Sequence, residues 1–214
     1  MGIECVGVSK SIKKHSIISD VSFKFHNGII YGLSGENASG KTTIMRLLSG
    51  IDSPSQGQIL INEFNIFMNK KDALKHVGVH IEYARLYPFM TGRQNLDCFL
   101  NKKEKDNPDF ELLIKDFGLT ESINKKVSSY SLGMKQKLSL IIALMRGTNC
   151  LLLDEPTNGL DDKSISVFKK VICKYAKHYK TTILIATHEI QDLQDIFDYI
   201  FKIEDGVLNS SSKK

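Results

Sequence analysis

The stretch GENASGKT, residues 35–42, constrains the fold of this chain more than any other feature. It follows the apolar run GIIYGLS and leads into the helix-like sequence TTIMRLL. A G-x-x-x-x-G-K-[ST] pattern between a strand and a helix is typical of a loop that wraps a phosphate with backbone N–H groups. We therefore expect phosphate contacts from Gly35, Glu36, Asn37, Ala38, Ser39, Gly40, Lys41, Thr42 and Thr43. In such a loop, Lys41 reaches the β- and γ-phosphates and Thr42 offers a hydroxyl to Mg²⁺.

Runs of branched residues alternate with helical patterns along most of the chain, which indicates α/β architecture. The runs GIIYGLS, CLLLD and TTILIAT are apolar throughout, as expected for parallel strands covered on both faces, whereas VSFKF alternates like a half-buried antiparallel strand. The spacing of apolar residues predicts helices over residues 41–49, 110–117, 131–146, 162–179 and 189–196.

Residues 83–129 interrupt this alternation, because they are polar and carry helical periodicity together with Pro88 and Pro108. We interpret them as a helical subdomain inserted into a single domain of residues 1–214. The core then comprises residues 1–82 and 130–208, and residues 209–214 are expected to form a frayed tail.

The run CLLLDEP, residues 150–156, leads from four apolar residues directly into two acids. Ligands of open α/β sheets bind at the carboxyl ends of the strands, where these acids emerge. Asp154 is placed to hold Mg²⁺, and Glu155 to orient or deprotonate an attacking water. The alternative is a polar strand end with no chemical role.

Two further stretches bear on the same site. His188 follows the apolar run TTILIAT and is expected at the same sheet edge, where it can donate a hydrogen bond to the γ-phosphate. In SYSLGMKQKLSL, residues 129–140, Ser131 reads as a helix N-cap, and Gly133 in the first turn leaves backbone exposed for a phosphate. An ordinary structural histidine and an ordinary capped helix are the alternatives.

Composition excludes several classes of protein. The 214 residues carry a net charge of only +5, with lysines scattered along the chain, so a nucleic-acid stripe is not indicated. Of the four cysteines, Cys5, Cys150 and Cys173 lie in apolar runs and are expected to be buried thiols of a cytosolic protein. The longest apolar runs are too short to span a bilayer, and no apolar signal segment opens the chain.

Taken together, the motifs resemble those of the ATP-binding subunit of an ABC transporter, in order and over residues 3 to about 208. GENASGKT is similar to the Walker A motif and CLLLDE to Walker B. YSLGMKQKL is similar to the signature motif, NGLD (Asn158–Asp161) to the D-loop, and His188 to the switch histidine. The resemblance implies a P-loop NTPase core with a mixed, mainly parallel sheet, an N-terminal antiparallel β part and the inserted helical subdomain.

In that family, the signature motif of one subunit completes the ATP site of another. The resemblance therefore implies that Ser131, Leu132 and Gly133 serve a nucleotide bound by a second nucleotide-binding subunit, in a homodimer or a heterodimer. Asp161 of the D-loop is a further expected nucleotide-binding residue. It also implies ATP and Mg²⁺ as ligands, ATPase activity, and a separate membrane-spanning permease. The expected location is the cytoplasm, at the inner face of the cell membrane.

Two details resemble the bacitracin and lantibiotic self-protection group of bacterial exporters. Glu82 in VGVHIE stands at the Q-loop position, usually a glutamine, where it would be a metal ligand, and the signature reads YSLGM. Ile12 stands where the family often stacks an aromatic residue on adenine, and the resemblance implies that it contacts the base through its apolar side chain without aromatic stacking. The expected function is export of, or protection against, a peptide antibiotic or similar amphipathic compound. Alternatives are a soluble ABC-type ATPase acting on nucleic acid or ribosomes, and a regulatory nucleotide-binding subunit.

Overall fold

A six-stranded sheet forms the centre of the protein. The fold is that of a computed structural model, which describes residues 2–36, 38–75, 77–81, 86–146 and 149–213, with only the backbone for 210–213. The strands are β1 (Ile3–Ile12), β2 (His15–Phe25), β3 (Ile30–Ser34), β4 (Gln56–Ile61), β5 (Phe64–Asn65), β6 (Val77–His80), β7 (Cys150–Asp154), β8 (Thr182–Ala186), β9 (Tyr199–Glu204) and β10 (Val207–Lys213). The helices are α1 (Lys41–Leu48), α2 (Lys70–Leu74), α3 (Gly92–Phe99), α4 (Lys102–Lys105), α5 (Asp109–Asp116), α6 (Leu132–Arg146), α7 (Asp162–Tyr179) and α8 (Ile190–Leu193), with a 3-10 turn at Val127–Ser129.

The central sheet has the strand order β10-β9-β3-β8-β7-β6. All its pairings are parallel except that of β9 with β10, which is antiparallel. Ala186 pairs with Leu33 on one side and with Asp154 on the other, so β3, β7 and β8 end at the same edge. This register brings the chain after Ser34, the acids after Leu153, and the residues after Ala186 close together.

A second sheet, ordered β2-β1-β4-β5, is antiparallel throughout. It contains the VSFKF run within β2, which confirms the expected antiparallel strand. The α/β architecture with a mainly parallel sheet and an N-terminal antiparallel part is therefore confirmed.

The strand β7 shows why the central strands are apolar throughout. Leu151 and Leu153 belong to a core on the face covered by α5, α6 and α7. Cys150 and Leu152 belong to a second core, which fills the space between the two sheets and α1. Consecutive strand residues point to opposite faces, so a strand with cores on both sides has no solvent-facing position.

The segment between β6 and α6 is helical in its described part, residues 86–129. Its first helix, α3, begins with a capping box, in which Thr91 Oγ1 accepts from Gln94 N (3.1 Å) and Gln94 Oε1 accepts from Thr91 N (2.9 Å). The T-x-x-Q spacing was a sequence signal for this helix. The buried Asp109 carboxylate of α5 then ties the segment to α7, since it accepts from Lys174 Nζ (2.6 Å) and Tyr179 Oη (2.8 Å).

Three expectations need correction. The helix expected over residues 189–196 is shorter, since only Ile190–Leu193 form α8 and the chain continues in a turn in which Ile196 N donates to Leu193 O. Asp198 then accepts from Ile30 N (2.8 Å), just before β9. Residues 209–213 are not a frayed tail, since they continue β10 against β9. Cys173 is partly exposed rather than buried.

Cys150 is buried, as the sequence predicts. Burial of Cys150 raises the pKa of its thiol to about 12, so this group stays protonated and inert. Within the described ranges, every helix falls short of the combined length and apolar character needed to cross a bilayer.

Candidate active site

The phosphate loop lies between β3 and α1, as the sequence predicts. Gly40 stands before the first residue of α1 with φ 110°, a left-handed conformation that favours glycine. A Cβ on Gly40 would also lie 2.7 Å from Ile18 Cδ1 of β2. The backbone angle therefore favours glycine here, and the Ile18 side chain packs closely against it. Asn37 lies outside the described residues.

The side chain of Lys41 turns back into this loop. Its Nζ donates to Gly35 O (2.7 Å) and Glu36 O (2.8 Å), and the residue is buried. The ammonium group is thus held at the centre of the loop by two carbonyl oxygens. A phosphate entering the loop meets a cation there together with the N–H groups of the α1 N-terminus, where Thr42 and Thr43 lie in the first turn.

Thr42 and Asp154 form the expected pair between the loop and β7. Thr42 Oγ1 donates to Asp154 Oδ2 (2.9 Å), and Asp154 is buried at the end of its strand. A hydroxyl and a carboxylate side by side are hard oxygen donors, the set that Mg²⁺ prefers. These residues therefore fit the metal. Glu82, the third expected metal ligand, lies outside the described residues.

Glu155 and His188 meet at the same edge. His188 Nδ1 lies 2.8 Å from Glu155 Oε1, and His188 N donates to the same oxygen (3.1 Å). In the described part of the chain, Glu155 Oε2 is buried and makes no hydrogen bond. One oxygen of the carboxylate is thus fixed by the histidine, whereas the other keeps its capacity to accept a proton.

The backbone of Glu155 is strained and is held from both sides. Its φ is 47°, in the left-handed region that L-residues other than glycine rarely adopt. Glu155 N donates to Ala186 O (2.8 Å), while Glu155 O accepts from Gln136 Nε2 of α6 (3.1 Å). Such strain persists where the surroundings over-determine the conformation, and it is common at functional sites.

A buried polar chain, which the sequence analysis missed, supports this segment. It runs from Ser139 Oγ to His80 Nδ1 (2.7 Å) and from His80 Nε2 to Gln136 Nε2 (3.0 Å). Gln136 Nε2 then donates to the carbonyls of Glu155 and of Pro156 (3.2 Å). Burial lowers the pKa of His80 to about 4, so the ring is neutral. The sequence signals for this chain of polar residues were His80 at the end of an apolar strand, and Gln136 and Ser139 three residues apart on one face of α6.

The start of α6 is built as a capped helix. Ser131 Oγ accepts from Met134 N (3.2 Å), which is the predicted N-cap contact. Leu132 is exposed, and a Cβ on Gly133 would lie 2.5 Å from Gly159 O. The glycine is therefore required within its own chain, by the close approach of the 158–161 segment, a reason that differs from the expected exposure to phosphate.

Among the described residues, no hydrogen bond joins residues 131–133 to residues 35–42. Asp161 caps α7, where its Oδ1 accepts from Ser164 N (2.8 Å) and Ser164 Oγ (2.7 Å).

Ile12 lies at the end of β1, opposite His15 in the hairpin with β2. Its side chain is 55% exposed, so the residue is available at the surface. The next strand, β2, contacts the phosphate loop through Ile18. A role for Ile12 beside a bound base stays a prediction.

Comparison with known proteins gives the same assignment as the motifs. The family described as "ABC transporter" matches residues 18–158. The chain is 35% identical over 210 residues to the bacitracin transport ATP-binding protein BcrA of Bacillus licheniformis, covering 96% of this chain and 68% of that protein. It is 31% identical over 199 residues to the lantibiotic transport ATP-binding protein SrtF of Streptococcus pyogenes, covering 93% and 85%.

A solved structure agrees in fold. The dimeric structure of a post-hydrolysis state of the ATP-binding cassette MJ0796, bound to ADP and Pi, superimposes with a TM-score of 0.87 at 21% identity, covering 99% of this chain and 98% of that chain. At this identity, the likeness bears on the fold alone, and it confirms the P-loop NTPase architecture with an inserted helical segment. With the motif order and the sequence matches, it follows that the chain belongs to the ATP-binding proteins of the ABC transporter family, which are ATPases.

Proposed function

We propose that this chain binds Mg-ATP at the loop of residues 35–43 and hydrolyses it to drive a transporter. The observation that carries the proposal is the contact of Glu155 with His188 (2.8 Å), directly beside the Thr42–Asp154 pair (2.9 Å). A base, an orienting histidine and a metal-binding pair then share one sheet edge with a buried lysine.

Each residue has a distinct role in this proposal. Lys41 exchanges its two loop carbonyls for phosphate oxygens, which places its charge on the β- and γ-phosphates. Thr42 and Asp154 would hold Mg²⁺, which supplies charge neutralisation on those phosphates when bound. Glu155 accepts the proton of the attacking water through Oε2, the oxygen that His188 leaves unengaged.

The signature residues serve a second nucleotide-binding subunit in this proposal. The exposed start of α6, at Ser131–Gly133, offers a capped helix N-terminus whose N–H groups and dipole favour an anion. Since this helix end makes no described hydrogen bond to its own loop, its proposed ligand is the γ-phosphate held by the partner. Two copies, or one copy and a relative, would then enclose two ATP molecules.

The transporter itself would be completed by a membrane-spanning permease, with this chain on the cytoplasmic side of the membrane. Its relatives include proteins named for bacitracin transport and lantibiotic transport. We therefore propose that the transporter exports a peptide antibiotic or a similar amphipathic compound, or protects the cell against one.

The test is the steady-state ATPase activity of the full chain with Mg²⁺, compared with Glu155→Gln and Lys41→Ala. Glu155→Gln should retain ATP binding and lose nearly all turnover, because the amide cannot accept the proton, and it should accumulate an ATP-bound dimer. Lys41→Ala should lose ATP binding itself. Turnover in Glu155→Gln close to that of the unmodified chain would remove Glu155 from the catalytic role.

A further inference from the structure

The buried histidine of β6 has no place in the proposed function so far. His80 is only 2% exposed and ends the strand that pairs with β7, where it lies opposite Leu153, one residue before Asp154. A strand residue buried among apolar cores is normally apolar, because burying a polar ring without partners is costly. Both ring nitrogens of His80 have partners, and both partners lie on α6.

The geometry fixes which nitrogen of His80 carries the proton. Gln136 Nε2 faces the carbonyl oxygens of Glu155 and Pro156, which only accept, so this end of the side chain must be the amide N–H₂. The same N–H₂ lies 3.0 Å from His80 Nε2, which must therefore accept. The ring hydrogen is consequently on Nδ1, where it is donated to Ser139 Oγ.

This tautomer holds the Gln136 side chain in one orientation. If the amide rotated by half a turn, its oxygen would face the two carbonyl oxygens and the lone pair of His80 Nε2, which is repulsive. The two amide hydrogens are shared among three acceptors, His80 Nε2 and the carbonyls of Glu155 and Pro156, and the His80 acceptor helps to keep the N–H₂ directed at the Glu155 carbonyl. That carbonyl belongs to the residue with the strained backbone, φ 47°, whose side chain meets His188.

We propose that His80 is a positioning residue for ATP hydrolysis: through Gln136 it holds the backbone of Glu155, and so directs the Glu155 carboxylate. The inference rests on the proposed function, since the placement of this carboxylate matters only if Glu155 acts in hydrolysis. His80 does not touch the phosphate loop in the described contacts, so nucleotide binding should be independent of it. A small misplacement of a catalytic group strongly lowers turnover, whereas it need not change substrate affinity.

Three variants separate positioning from simple loss of stability. His80→Leu fills the space but removes both hydrogen bonds. His80→Gln can place its amide oxygen near the position of Nε2 and so accept from Gln136, whereas His80→Asn reaches only the position of Nδ1. The matched control is Thr182→Val, which removes one buried hydrogen bond, to Asn27 Oδ1 (3.1 Å), at the opposite end of the central sheet.

The measurements are kcat and KM for Mg-ATP, equilibrium ATP binding, and denaturant unfolding. We expect His80→Leu to lower kcat by about tenfold or more, the equivalent of one well-formed hydrogen bond, with KM within about twofold. His80→Gln should recover most of the kcat, and His80→Leu should accumulate an ATP-bound dimer, as is expected for Glu155→Gln. Thr182→Val should lose stability without a change in kcat.

Several results would overturn the inference. These are a folded His80→Leu with unchanged kcat, a His80→Gln as defective as His80→Leu, or a fall in kcat for Thr182→Val that matches its loss of stability. If His80→Leu fails to fold, the two amide variants decide, since His80→Gln must then retain more kcat than His80→Asn. Loss of turnover in Glu155→Gln with normal turnover in His80→Leu rejects only this inference, whereas normal turnover in Glu155→Gln rejects the proposed function.

Discussion

The close approach of Gly133 to the 158–161 segment gives a quantitative prediction for Gly133→Ala. The added Cβ would lie 2.5 Å from Gly159 O, well inside the 3.4 Å at which ordinary contact begins. A flexible side chain could rotate away from such a contact, but a backbone carbonyl cannot. The substitution must therefore displace either the first turn of α6 or the segment that carries Gly159.

Two opposing terms set the magnitude. Alanine gains about 1 kcal/mol over glycine in a helix interior, and less near the end of a helix. Forcing a methyl group into a filled space typically costs about 1–3 kcal/mol, and the upper part of that range applies because backbone must move. We expect Gly133→Ala to lower the free energy of unfolding by about 1–2 kcal/mol. It should also reduce ATPase activity, since Gln136, one turn further along α6, holds the carbonyl of Glu155.

The assay is urea unfolding of the full chain at equilibrium. The matched control is the pair Lys135→Gly and Lys135→Ala, two positions along the same helix, which measures the local difference between the two residues. If Gly133→Ala raises the free energy of unfolding by the difference that this pair shows, the close approach does not constrain the protein. The glycine would then serve only an approaching ligand.

Further predictions concern the second subunit, recognition of the nucleotide base near Ile12, the capping residue Asp161, and Glu82 at the Q-loop position. Mixing Lys41→Ala with Ser131→Arg should restore ATP binding at one site per dimer, because a mixed dimer has both substitutions in one site and none in the other. Equilibrium binding counts the sites, and no restoration in verified mixed dimers would contradict the model of a shared site. Without an aromatic at Ile12, where base stacking is typically worth about 1–3 kcal/mol, calorimetry should find ATP and GTP binding within about a hundredfold of each other, and a stronger preference for ATP would contradict this. Hydrogen bonds from the Ser164 side chain and backbone hold the pKa of Asp161 below its usual range, so its contribution to stability is present above the ordinary carboxyl pKa and is lost as the pH falls through the lowered one. Asp161→Asn, which keeps the cap, should show a smaller loss of stability on acidification than the unmodified chain, and equal losses in unfolding experiments would argue against this. Glu82→Gln should weaken Mg²⁺-dependent ATPase activity, and unchanged activity with unchanged stimulation by a permease would leave the acid without a special role.

Much of the fold could be predicted from the sequence, because the patterns that indicate it lie within short segments of the chain. The strand, loop and helix around Lys41 are adjacent in the chain, and burial on both faces makes each central strand apolar throughout. The end of the chain was misjudged for the opposite reason. Residues 209–213 are polar and show no strand pattern, and only pairing with β9 makes them a strand.

For the candidate site, too, the residues could be predicted from local motifs, whereas the contacts between them could not. The candidate catalytic and binding residues could be predicted from the sequence, because the phosphate loop, the Asp154–Glu155 pair and His188 are short motifs of characteristic residue types. Three contacts could be found in the folded structure alone: His188 with one Glu155 oxygen, Gly133 against the carbonyl of Gly159, and His80 with Glu155 through Gln136. These contacts join residues far apart in the chain, and the sheet register and the packing of α6 that create them are collective properties of the folded core.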